Sequence, residues 1–203
     1  MQIKNKKAFS MIEILVGILI FTMGVVSVYS MIITTLSLND YNKNYIIAAN
    51  LAREQLELVR NIRDSNYKKI QVYNQINPLN DIHTNVFQIG KYYKIENDFD
   101  TTSFPISVTE ITDFGEGESM LNTKMNNYAL CLTPQNNYTF DCSSSNKKTS
   151  FYRYIKIDKI EYKDSSGVKV INEGFKVTSK VIWYVRGYHE FEVNSIFTDF
   201  KRF

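Results

Sequence analysis

The positions of apolar and polar residues divide the chain into three parts. Residues 14–38 form a run of 25 residues that contains no charged side chain. Because an α-helix rises about 1.5 Å per residue, this run is long enough to cross a hydrocarbon core of roughly 30 Å. The run therefore predicts a transmembrane helix.

The apolar pattern becomes one-sided after residue 38. Residues 39–44 are polar but include neither Gly nor Pro, so nothing ends the helix there. Farther along, apolar residues recur every three or four positions, which is the spacing of one helix face. They are Tyr45, Ala48, Ala49, Ala52, Leu56, Val59 and Ile62. The sequence predicts one helix over about residues 10–64, with a transmembrane half at 9–38 and an amphipathic half at 39–66.

The remainder, residues 67–203, has the composition of a β-rich head. Aromatic and β-branched residues are concentrated at 86–95, 128–132, 151–162, 175–185 and 188–200, which we predict to be strands. Arg186 and Gly187 predict a tight hairpin between the last two, and a turn at 163–167 precedes a short strand at 168–172. Residues 97–127 have few apolar anchors and predict a long loop or irregular strands. The predicted fold class is α+β, a long helix whose second half packs on a C-terminal antiparallel sheet.

Composition and charge narrow the functional classes. The chain has 203 residues, 44% of them hydrophobic and only 3 of them proline, which is typical of an ordered protein. The formal charge of +3 comes from Lys4, Lys6 and Lys7, because the other residues hold 24 − 3 = 21 basic side chains against 21 acidic ones. The charge therefore predicts no specific nucleic-acid partner.

The lysines before the apolar run set the predicted orientation. They place the N-terminus in the cytoplasm and the head outside. The apolar run is too long for an ordinary secretory signal, and no small-x-small cleavage pattern with a polar start follows it. A plain signal anchor remains an alternative, in which Glu13 reaches back to the membrane interface.

The segment KKAFSMIE, residues 6–13, combines a basic leader, a small residue, Phe, a hydroxyl residue, two apolar residues and Glu. In front of a long apolar helix, this block resembles the signal of type IV prepilins, which most often have Gly where this chain has Ala8 and Thr where it has Ser10. The resemblance implies that prepilin peptidase cuts between Ala8 and Phe9 and removes residues 1–8 on the cytoplasmic side. It also implies methylation of Phe9 and contact of Glu13 with the N-terminal amine of a neighbouring subunit.

Residues 51–67 resemble the corresponding helix of minor pilins and pseudopilins of the type IV pilus modification group. This resemblance implies a filament subunit, with other pilin subunits as partners through the N-terminal helix and inner-membrane lipid as the surroundings before assembly. It implies a single-pass inner-membrane protein that later joins a cell-surface or periplasmic filament. The alternatives are a type II secretion or DNA-uptake pseudopilin and an uncleaved, membrane-anchored binding domain.

Cys131 and Cys142 are the only cysteines, and both lie in the predicted exterior domain. In an oxidising compartment they predict a disulfide, which is worth about 2–4 kcal/mol in the chain-entropy model. Two buried thiols are the alternative. Only Asp141 accompanies the pair as a further ligand type, so no metal site is predicted there.

The segment DFGEGE, residues 113–118, places three carboxylates around two glycines. It lacks the spacing of a helix-loop-helix calcium site, and we interpret it as an acidic turn without metal. His83 and His189 are isolated in sequence and are predicted to be surface residues. The chain contains no phosphate loop, dinucleotide fingerprint, nucleophile elbow or zinc-protease helix. We therefore expect no cofactor, and a structural subunit is favoured over an enzyme.

Overall fold

The computed structural model describes residues 10–78, 85–97, 104–165 and 167–199. The chain has one long helix and one antiparallel sheet, and the predicted α+β class is confirmed. The elements are α1 (Met11–Lys68), β1 (Tyr92–Asn97), β2 (Ile106–Glu110), β3 (Ala129–Leu132), β4 (Tyr138–Thr139), β5 (Lys147–Asp164), β6 (Gly167–Tyr184) and β7 (Tyr188–Thr198), with 3₁₀ helices at Glu118–Met120 and Lys124–Tyr128. They form two compact units, one ending at Lys43 and the other beginning at Asn44.

The first unit is the N-terminal part of α1. By length and composition this part could cross a membrane, and its apolar side chains are exposed. The hydroxyls of Thr22, Ser27, Thr34 and Thr35 each donate a hydrogen bond to a carbonyl three or four residues earlier, at 2.8–3.0 Å. Since these bonds satisfy the hydroxyls within the helix, the segment tolerates surroundings that lack water.

The second unit contains the rest of α1, which packs on one face of the sheet. Its buried residues are Ala48, Leu51, Ala52, Gln55, Leu56, Leu58, Val59, Ile62 and Asn66. Ser179 of β6 places its Oγ 2.9 Å from the carbonyl of Ala52 and 2.8 Å from Oε1 of Gln55, deep in this contact. On the solvent side, Arg60 pairs with Glu57 at 2.7 Å.

The helix ends at Lys68, four residues beyond the end predicted at about residue 64. The backbone amide of Gln71 donates to the backbone carbonyl of Asn66, and the backbone amide of Ile70 donates to the carbonyl of Tyr67. This is a Schellman ending, with Ile70 in the left-handed region at φ 59°. Glycine usually occupies that position, so a β-branched residue there gives no sequence signal for the helix end.

Strand β5 organises the sheet. Strand β6 pairs with one edge of β5, while β3 and β1 share the other edge, β3 near Tyr152 and β1 at Ile155 and Lys156. The remaining pairs are β1 with β2, β3 with β4, and β6 with β7, and every pair is antiparallel.

Several predicted strand boundaries were wrong. The strands expected at 168–172 and 175–185 are one continuous strand, β6, and the turn after β6 has three residues, 185–187, with φ 57° at Arg186. The strand expected at 86–95 begins only at Tyr92, because Val86 forms an isolated bridge with Gln75. The 128–132 strand begins at Ala129.

Both faces of the central strands are covered, which the sequence did not indicate. Residues 151–155 of β5 are all buried. Phe151 and Ile155 face the α1 side, and Tyr152 and Tyr154 face the opposite side. That opposite side is covered by Ile111, Leu121, Met125 and Tyr128. Much of the segment 97–127, predicted as a loop or irregular strands, therefore forms β2 and a second covering layer.

Candidate functional site

The N-terminal segment contains the residues predicted to act in assembly. The carbonyl of Ser10 accepts hydrogen bonds from the amides of Glu13 (3.0 Å) and Ile14 (3.3 Å), so the helix starts directly before the carboxylate. Glu13 is exposed in the first turn, where a negative charge is favoured by the helix dipole. Ala8 and Phe9 lie outside the described residues, and their roles stay predictions.

An apolar concavity of about 530 Å³ lies along the exposed part of the same helix. Its lining includes Phe21, Gly24, Val28 and Tyr29. A Cβ placed on Gly24 would meet no atom within 4 Å, so this glycine leaves an open depression between larger side chains. Such a depression admits the side chain of another helix at close range.

The structure joins Cys131 and Cys142 through a disulfide, with 5.3 Å between their Cα atoms. Cys131 is buried in β3, whereas Cys142 is exposed on the loop after β4. The bridge closes the loop over residues 132–141 and fixes β4 at the edge of the sheet. Its redox state in the cell stays a prediction.

Each carboxylate of the acidic segment 113–118 has its own protein partner. Asp113 pairs with the ammonium of Lys124 at 2.7 Å, and Glu118 accepts a hydrogen bond from the hydroxyl of Tyr184 at 2.9 Å. Across the part of the chain that the structure describes, no group of three His, Cys, Asp or Glu side chains comes close enough to hold a metal ion. The three carboxylates thus anchor the segment at separate points.

Glu116 is the most enclosed of these anchors. It accepts hydrogen bonds from the hydroxyls of Tyr154 (2.8 Å) and Tyr188 (3.3 Å) and forms an ion pair with Lys180. Lys180 also contacts Glu190 at 2.8 Å. We call Glu116, Tyr154, Tyr188 and Lys180 the acidic clasp.

The electrostatics of the acidic clasp follow from its burial. Burial raises the pKa of Tyr154, and the hydrogen bond to Glu116 raises it further. Burial also raises the pKa of Tyr188, and the nearby Glu116 adds to this effect. Burial alone would lower the pKa of Lys180, but its hydrogen bonds to Glu116 and Glu190 outweigh that effect, and the pKa is raised. The tyrosines are therefore neutral donors and Lys180 is a cation at neutral pH.

Aromatic packing holds the same segment on the sheet. The ring of Phe114 stacks on Tyr92 with 3.6 Å between centroids and lies edge-on to Tyr154 at 4.9 Å. The hydroxyl of Tyr128 donates to the carbonyl of Gly115. The acidic segment is consequently docked by rings as well as by charges, which suits a structural role.

The structure describes only one of the two histidines in the sequence. His189 stacks on the ring of Trp183, with 5.4 Å between centroids and 24° between planes, and it is partly buried. His189 is therefore partly exposed, and Trp183 covers part of its ring. His83 lies outside the described residues.

The sequence did not predict the ion pair between Arg153 and Glu54, because the two residues are far apart in the chain. Arg153, fully buried in β5, donates to Glu54 at 3.0 Å and lies over the ring of Phe140 at 5.4 Å. Its NH2 group also lies 3.4 Å from the carbonyl of Ile95. These contacts connect α1, β1 and the disulfide loop to the central strand β5. The only sequence signal for them is the alternation of side chains along β5, which places Arg153 on the side of the sheet that faces α1.

Comparison with known families identifies the N-terminal segment. Residues 3–29 match the family described as the prokaryotic N-terminal methylation motif. The chain therefore carries a type IV pilin-like prepilin motif followed by an apolar helix. These two features are those of a membrane-anchored, processed protein. No curated protein and no solved structure matches the chain.

Proposed function

We propose that the chain is a minor pilin or pseudopilin, a structural subunit of a type IV pilus-like filament. The observation that carries this proposal is Glu13, the only charged residue between Phe9 and Leu38, placed in the first turn of an exposed apolar helix within the methylation motif. A carboxylate at membrane depth is costly and is retained where it has a partner. A neighbouring subunit can supply that partner.

The proposed partner of Glu13 is the amine that processing creates. Cleavage after Ala8 by prepilin peptidase gives Phe9 a free ammonium, which methylation leaves basic. Glu13 lies four residues farther along the sequence, in the first turn of α1. A subunit displaced along the filament can bring its own amine to this carboxylate, so that each charge is neutralised by the adjacent chain.

The rest of the chain suits this role. The apolar helix holds the subunit in the inner membrane before assembly, with its N-terminus in the cytoplasm and the disulfide-containing head outside. In the filament the depression around Gly24 receives the helix of another subunit. We propose that the head has no catalytic activity, since the carboxylates of its acidic segment are held in structural contacts.

Replacement of Glu13 tests the proposal. We expect Glu13→Val to reach normal levels in the membrane, because the helix becomes more apolar. Incorporation should fall sharply, because losing one half of a poorly solvated ion pair strands the other charge at a cost of roughly 3–5 kcal/mol. The measurement is the ratio of variant in sheared filaments to variant in membranes, in cells whose other subunits are normal.

Thr22→Val serves as the matched control. It also makes the helix more apolar, but among the residues that the structure describes, the hydroxyl that it removes bonds only to the carbonyl of Leu19. Incorporation of this variant should be normal. If Glu13→Val is incorporated as well as Thr22→Val, Glu13 is an interfacial residue without a partner, and the proposal fails.

A further inference from the structure

A polar cleft of about 560 Å³ opens in the head beside the disulfide loop. Residues at the ends of β1 and β2 form one side, among them Asn97 and Ser107, and the loop that carries β4 forms the other. The side chains that carry the following inference are Asn97, Ser107, Gln135, Asn137, Tyr138 and Asp141. The volume falls within the range of sites for small ligands, about 300–1,000 Å³.

The walls of the polar cleft are fixed by contacts within the protein. Oε2 of Glu96 accepts hydrogen bonds from Oγ1 of Thr139 (3.1 Å) and from the amide of Phe140 (3.0 Å), which ties β1 to the loop. The backbone amide of Asn137 donates to Oγ1 of Thr133 at 3.1 Å, so the turn before β4 is also held. With the disulfide, these contacts give the cleft a preformed shape, which lowers the entropic cost of binding.

Several polar side chains of the cleft are left without such contacts. Asn97, Ser107, Gln135 and Asn137 make no side-chain hydrogen bond to any residue in the described ranges, and neither does the hydroxyl of Tyr138. By contrast, Asp141 accepts from the amide and hydroxyl of Ser143. A side-chain amide offers a donor and an acceptor side by side, which matches two adjacent hydroxyl groups on one ligand.

The charges of the cleft select against other ligand classes. Its lining contains the carboxylates of Glu96 and Asp141 but no Lys or Arg among the described residues. Anions such as phosphates, sulfated sugars and nucleic acids would meet repulsion with no cation to compensate it. Tyr138 is the only aromatic residue in the described lining, which includes no Val, Leu, Ile, Met or Phe, and this disfavours lipids and peptides with large apolar side chains.

We propose that this cleft binds a neutral carbohydrate, with the amides of Gln135 and Asn137 contacting its hydroxyl groups. The amides and hydroxyls that lack protein partners supply the hydrogen bonds, and the fixed loop supplies the shape. The inference goes beyond the assembly role, because the described residues that line the cleft include none of α1.

The test uses the full-length protein in detergent and an array of immobilised oligosaccharides. The array carries neutral hexose and N-acetylhexosamine oligosaccharides together with sialylated and sulfated ones. We expect binding to neutral members and none to acidic members. For the best neutral oligosaccharide, Gln135→Ala and Asn137→Ala should each weaken binding about tenfold, as expected for the loss of one or two hydrogen bonds.

Asn172→Ala is the matched control, because it removes an exposed amide from β6, outside the lining of the cleft. It should bind as the unaltered protein does. Fluorescence of Trp183, the single tryptophan, checks that each head is folded. The inference is overturned if no neutral oligosaccharide binds, if acidic ones bind better, or if Asn172→Ala loses as much affinity as Asn137→Ala. None of these results would bear on filament assembly.

Discussion

Replacement of Glu116 by Gln tests whether the acidic segment 113–118 acts as a structural clasp. The substitution keeps the size of the side chain but removes its charge and turns one acceptor oxygen into a donor group. The unaltered carboxylate receives two tyrosine hydroxyls and one ammonium. An amide cannot serve all three, so at least one donor of the acidic clasp loses its partner.

The expected cost can be worked from these contacts. Tyr154 is 3% exposed, and a buried donor without an acceptor costs about 1–3 kcal/mol. Lys180 keeps Glu190 at 2.8 Å, so its charge is not stranded, although it loses a hydrogen bond to a charged group. Together these effects predict a loss of about 2–4 kcal/mol in the free energy of unfolding of the head.

Urea unfolding of the full-length protein in detergent measures this loss. Trp183 is the only tryptophan and is 1% exposed in the head, so its fluorescence reports unfolding there. At an m-value of about 2 kcal/mol/M, the midpoint should fall by about 1–2 M urea. The same measurement is made with and without added Ca²⁺.

Two neighbouring carboxylates provide matched controls. Glu118→Gln and Asp113→Asn make the same chemical change in the same segment, but their partners are far more exposed than Tyr154: Tyr184 is 40% exposed and the side chain of Lys124 is 41% exposed. Both controls should shift the midpoint far less than Glu116→Gln does. The reasoning is refuted if the three variants behave alike, or if Ca²⁺ stabilises the unaltered protein and Glu116→Gln abolishes that effect.

Two further predictions concern pH and redox state. Burial raises the pKa of Tyr128, Tyr154 and Tyr188 above the ordinary 10.0, so these phenols lose protons more readily in the unfolded state. Their contribution to the free energy of unfolding is therefore full below about pH 10 and is lost as the pH rises further. Urea midpoints and phenolate absorbance, measured across that pH range, check this prediction. In exported protein, thiol labelling under denaturing conditions without reductant should be negative because Cys131 and Cys142 are bridged, whereas two labelled thiols per chain would contradict the bridge.

The parts of the fold that could be predicted from the sequence depend on local signals. The apolar run, the one-sided helix and the motif around Glu13 are all contained in neighbouring residues, and each was recognised. The end of α1 lies beyond the predicted residue 64, because Ile70 adopts the left-handed conformation that usually marks a helix end with a glycine. The long β6 was divided because residues 167–173 are exposed and their pattern does not alternate as that of a half-buried strand does.

The parts that could not be predicted depend on contacts between distant residues. Residues 97–127 have few apolar side chains, yet Phe114 within them completes a ring cluster with Tyr92, Tyr128 and Tyr154. Glu116 meets Tyr188 across 72 positions of sequence. No local pattern distinguishes such a carboxylate from a solvated one, so the acidic clasp became evident only from the folded chain.

The mass of the N-terminal peptide tests the central claim most directly. Protein extracted from membranes and from sheared filaments is digested, and its N-terminal peptide is identified by mass spectrometry. The proposed processing predicts a chain that begins at Phe9 and carries an added methyl group on its amine. A chain that still begins at Met1 in both fractions would contradict the assignment and favour an uncleaved membrane anchor.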